Sequence, residues 1–159
     1  MSINRELLGT DVTVTSSSPT ARLGEKVTIG NTTYMYIRSD ATGLTANYAC
    51  IVTPASNTAA PRVATMMTTT NAGAIPLEVC VPQVAIAANY YGWAAIEGSM
   101  SVFVGLSCVQ DVRLYTTATA GLVDDTATTL VSGLALETTV GGANIVAACY
   151  ATRPLMVNV

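Results

Sequence analysis

The chain has 159 residues, half of them hydrophobic and only 11% charged, with a formal net charge of −3, one lysine and no histidine. That length fits one domain with or without an arm and can bury its own core. Its scattered cations offer no basic stripe for phosphates, which speaks against nucleic acid, and nothing approaches the about 18–20 consecutive apolar residues of a membrane-spanning helix.

The opening stretch, Met1 to Thr10, lacks the uninterrupted apolar region of a secretory signal, so the chain is expected to fold in the cytoplasm. Residues 1–25 are polar and β-prone around Asp11–Thr20 but have little to pack with, and are expected to form an extended N-terminal arm. A single β domain over 26–159 should follow. Short runs of Thr, Val, Ala and Gly with little period near 3.6 predict strands over Val27–Ile29, Thr33–Arg38, Ala49–Thr53, Arg62–Met67, Ile75–Val81, Gly92–Glu97, Ser101–Val104, Val112–Thr116, Leu130–Glu137 and Ile145–Thr152. In the fifth, Ile75, Leu77, Val79 and Val81 share one face, and Pro76 and Pro82 place it at a sheet edge or near its own ends. Turn residues fall at Gly30-Asn31, Asp40–Gly43, Asn71–Gly73, Glu97-Gly98, Ala120-Gly121, Asp124-Asp125 and Gly141-Gly142. The expected fold is all-β, a small barrel or sandwich.

Little here points to catalysis. The absence of histidine excludes Ser-His-Asp and Cys-His arrangements. Cys50, Cys80, Cys108 and Cys149 form no CxxC pair; they read as reduced, buried thiols, with no metal site and no cofactor. Asp111, Glu97 and the pair Asp124-Asp125 are the candidate carboxylates for glycosidase-like work, although the pair reads first as turn chemistry. No nucleotide-binding or hydrolase signature is present. The cluster Tyr90-Tyr91-Gly92-Trp93 is the most unusual local feature. Its rings can fill a core, anchor a protein interface or stack on a sugar. Tyr34 and Tyr36 should share one strand face.

The stretches Ile86–Gly98, Ser101–Val104 and Asp111–Asp125, closed by Gly141-Gly142 and Ile145–Pro154, resemble the core of tailed-bacteriophage capsid decoration, or cement, proteins. The likeness covers roughly residues 75 to 152 and is one of pattern, an aromatic-Gly-Trp strand followed by a Leu-Tyr strand running into Thr/Ala-Gly-x-Val-Asp. It implies a non-enzymatic structural protein on the capsid exterior, made in the bacterial host cytoplasm, that bridges major capsid protein subunits and associates with copies of itself as a dimer or trimer. Low charge suits such a role, because interface cores are depleted of Lys and Glu.

On this reading the arm becomes ordered on the shell by adding a strand to it, with Ile3, Leu7, Leu8, Val12 and Val14 as candidate capsid contacts and Val12 and Val14 pointing the same way. Tyr90, Tyr91 and Trp93 are the candidate interface aromatics. The competing readings are another virion component (tail, fibre or adhesion protein), a sugar-binding module resting on Trp93, and a carboxylate hydrolase.

Overall fold

The structure is a computed structural model that describes residues 9–53, 62–72, 77–126 and 128–157, with residues 156 and 157 described as backbone only. It is all-β. The strands are β1 (Lys26–Ile29), β2 (Thr32–Ser39), β3 (Cys50–Val52), β4 (Val63–Met66), β5 (Glu78–Pro82), β6 (Tyr91–Val104), β7 (Arg113–Thr116), β8 (Val123–Asp124), β9 (Leu130–Leu136) and β10 (Ile145–Val157). The Gly30-Asn31 turn joins β1 to β2, with Ile29 opposite Thr32 and Gly30 at positive φ as such tight hairpins require.

The pairings close two rings that share one strand. β6 pairs β2 and β5 through its first half, and β2, β4, β3 and β5 complete a ring. Through its second half β6 pairs β10 and β8, and β8, β7, β9 and β10 complete another. A strand contacting both rings must be long, which is why Tyr91 to Val104 form one 14-residue strand where the sequence suggested two with a turn at Glu97-Gly98. Gly98 is a crossing point instead. It stands opposite Thr32 on β2 and Ala151 on β10 at φ +90, with Ile96 bulged out of the ladder beside it.

The alternation of β6 fills both interiors. Ala94 and Ile96 lie inside the first ring with Met35, Ile37, Cys50, Val52, Ala64 and Cys80. Leu44 and Ile86, paired by an isolated bridge, belong to the same cluster. Met100, Val102 and Val104 occupy the second with Leu114, Val123, Val131, Leu134, Leu136 and Cys149. Ile51, Val79 and Val81, from the opposite faces of β3 and β5, join that second cluster. Both faces of β5 are therefore buried, and the strand is central. Pro82 is tolerated because it is the last residue. All four cysteines are buried free thiols, and Cys50 faces Cys80 across the β3–β5 ladder.

The described part of the expected arm is not extended. Asp11 accepts hydrogen bonds from the Thr13 amide (2.8 Å) and hydroxyl (2.6 Å), which folds a local turn and draws its carboxyl below the ordinary value. The turn separates the two valines: Val12 packs inward, while Val14 is 55% exposed. Further on, Ser16 exchanges two backbone bonds with Tyr91, and Gly24 donates to the Tyr36 carbonyl. Residues 9–25 thus lie on the domain.

Candidate functional site

Two places bring together residues singled out from sequence, and a third is assembled only by the fold. The first is the aromatic group on the outer side of β2 and β6. Tyr34 and Tyr36 pack in one cluster with Val27 and Trp93 while Met35 turns into the ring, as alternation along β2 demands. Tyr36 meets Trp93 edge to face at 5.1 Å and stacks on Tyr91 at 6.3 Å. Val12, Ala21 and Leu23 cover them, and Thr20 binds the Tyr36 hydroxyl through its amide (2.9 Å) and side chain (3.0 Å). Trp93 is only 4% exposed. Core packing under the N-terminal segment is therefore its role, and no free face is left for a sugar ring to stack on. Tyr91 is half-buried and Tyr90 exposed, so the motif divides between core and surface.

The second place is the loop after β6. Cys108, Asp124 and Asp125 bring one thiol and two carboxylates within 4.8 Å of one another, a set that could hold a metal ion. Local bonding already accounts for the arrangement. The Thr126 amide donates to Asp124 (2.9 Å) and the Val109 amide to Asp125 (3.0 Å), as Asp side chains commonly serve in turns. The turn read at Asp124-Asp125 is modified only in that Asp124 also ends the short β8. Gly105 lies directly under the Asp124 carboxylate, where a Cβ would collide with it. Burial, reinforced by the two carboxylates, raises the Cys108 thiol above its ordinary value and makes it a poor nucleophile. Glu97 and Asp111 are exposed and stand outside this group, so the four carboxylates considered for hydrolysis share no site.

The third is a surface that periodicity alone did not reveal. On β10, Val146 (47%) and Tyr150 (48%) are exposed, with Ala148 between them. Their partners on β6 are Phe103, Ser99 and Ser101. Phe103 stacks in parallel on Tyr48 at 4.6 Å. The nearby loop adds Leu106 and Val109, also exposed. No charged residue occurs from Ser99 to Phe103 or from Ile145 to Thr152. The run Ile145–Ala151 reads as a core strand from its composition, but only its odd positions after Ile145 (Ala147, Cys149, Ala151) face the core.

Among the candidate capsid contacts, Ile3, Leu7 and Leu8 lie outside the described residues, Val12 is partly buried and Val14 is exposed. No helix among the described residues is long and apolar enough to cross a membrane. The chain matches no protein-family model and no curated protein.

Proposed function

We propose that this chain is a structural, non-enzymatic virion protein that binds the outer surface of a phage capsid and stabilises the shell by bridging major capsid protein subunits. The observation that carries the reading is the uncharged β6–β10 face, which exposes Val146 and Tyr150 beside the half-buried Phe103 with only small side chains between them. Exposed apolar surface of this kind marks interaction sites, and the lack of charge lowers the desolvation cost of covering it. The sequence resemblance to cement proteins points the same way. Cementing follows from linkage: a protein that binds the assembled shell and not its free subunits shifts the equilibrium toward the shell.

Quantitative mass spectrometry of purified virions tests the reading through the copy number of this chain relative to the major capsid protein. A ratio on the order of one per one to a few subunits is expected, since a bridging protein must recur with the lattice it bridges. A handful of copies would move the chain to a tail, fibre or vertex role, and its absence from virions would refute both.

A further inference from the structure

We propose that the cleft between the start of β5 and the bulge of β10 recognises an extended acidic segment, flanked by apolar residues, on the capsid shell; the choice of the shell as its source rests on the reading above. The cleft encloses about 530 Å³, a volume suited to a few residues of peptide. Val52, Leu77 and Leu155 give it apolar walls, and Arg62, Arg153 and Glu78 give it charge.

The charges are arranged unevenly. Arg62 donates to Glu78 at 2.7 Å and Lys26 approaches the same carboxylate at 3.5 Å, so Glu78 is compensated from two sides. Arg153 is exposed and has no acidic partner among the described residues. Lys26 and Arg62 thus flank one carboxylate, and Arg153 lines the same cleft without joining them.

The backbone is strained to achieve this. Arg62 (φ 56°) and Arg153 (φ 51°) both adopt the left-handed conformation, which costs a side-chain-bearing residue about 1–2 kcal/mol. At Arg153 the cause is the bulge between Ala151 and Leu155, opposite Gly133, where a Cβ would press on the Thr152 carbonyl at 2.9 Å. Bulges of this kind re-aim side chains at sheet rims. A guanidinium held there, with no acidic partner among the described residues, can take a carboxylate in bidentate fashion. The apolar walls call for apolar neighbours on either side of the acid.

The experiment has two arms. In the first, the ¹⁵N-labelled full chain is titrated at low salt with acetyl-Leu-Asp-Leu-Glu-Leu-amide and with its Asn/Gln counterpart. Amide shifts at Leu77, Glu78, Thr152 and Leu155 are expected with the acidic peptide. Binding should weaken about tenfold for the neutral peptide and for Arg153→Gln, the scale of one charge-assisted bidentate contact. Arg153→Gly should lose binding equally while remaining at least as stable, because glycine relieves the left-handed strain; a folding defect cannot mimic that pair of results. Shifts elsewhere, no shifts, or unchanged binding by both variants would overturn the site. In the second arm, wild type, Arg153→Gln and Arg113→Gln are co-sedimented with purified expanded heads. Loss of about tenfold for Arg153→Gln alone supports a shell segment as the occupant. Equal binding by all three overturns it, and failure of wild type to bind heads, with the peptide arm intact, refutes the capsid reading while leaving the cleft a peptide site.

Discussion

Two glycines show how differently one residue type can be required. Gly98 has φ +90, and an added Cβ would overlap the Asn31 backbone, which cannot retreat because Asn31 is held in the β1–β2 hairpin. Gly30 has φ +57 but nothing within 4 Å of a Cβ. Gly30→Ala should therefore cost only the left-handed penalty of about 1–2 kcal/mol. Gly98→Ala should cost about 4 kcal/mol or more, because backbone at a strand crossing must move. Urea unfolding of the two variants measures the difference, and equal losses would refute the crossing-point account. The thiols make a second prediction at this scale. Burial, with Glu137 and Cys108 adding to it, pushes Cys149 from its ordinary 9.0 up to about 12, and burial likewise raises Cys50 and Cys108. A raised acid pKa means that the folded state holds its proton longer than the unfolded chain. The stabilisation is complete below pH 9 and is lost as pH rises from 9 toward 12. Over that window Cys149 should lower stability by up to about 1.4 kcal/mol per pH unit. Melting temperatures between pH 8 and 11 read the slope, and a Cys149→Ala variant should flatten it.

At the scale of elements, the N-terminal segment has changed its meaning. Polar composition suggested an arm free until it meets a partner, but Val12, Ala21 and Leu23 pack on the aromatic group, and Thr20 satisfies the Tyr36 hydroxyl. Deleting residues 1–22 should destabilise the domain by at least about 2 kcal/mol, since it uncovers Tyr36 and Trp93 and strands a buried hydroxyl. Trp93 emission should shift to the red. Deleting residues 1–8 alone, followed by the same two readouts, is the comparison. An unshifted spectrum in the longer deletion would show that the segment does not cover the tryptophan. The capsid contacts proposed for Ile3, Leu7 and Leu8 are tested with the shorter deletion, with urea unfolding beside the binding assay to tell lost binding from lost folding.

For the whole molecule, the shared strand predicts cooperativity. β6 contributes side chains to both interiors, and Ile51, Val79 and Val81 link the outer face of one ring to the core of the other. Neither ring closes without β6. Urea unfolding followed by Trp93 fluorescence, which reports the first ring, and by the reactivity of the Cys149 thiol, which reports the second, should give one midpoint. Separate midpoints would mean that the rings are independent units. Most contacts in this topology join residues distant in sequence, so folding should be slow, on the order of milliseconds to seconds.

The all-β class, nine of the ten strands and the burial of the cysteines were legible in the amino-acid sequence because each rests on local chemistry: β-branched alternation, turn residues and apolar surroundings act within a few residues. The face shared by Tyr34 and Tyr36 was legible for the same reason. The missed strand, β8, is two residues long and too short to show any period. What only the tertiary structure decided involves partners far apart in the chain. Gly98 reads as a turn until Asn31 is seen against it, and the burial of Trp93 depends on a segment some seventy residues earlier. The β6–β10 face looks like core until one side of β10 is left uncovered. Arg62 and Arg153, ninety-one positions apart, meet at one cleft only because β10 pairs with β5. Local propensity can specify a strand, but ring closure chooses which of its faces meets water.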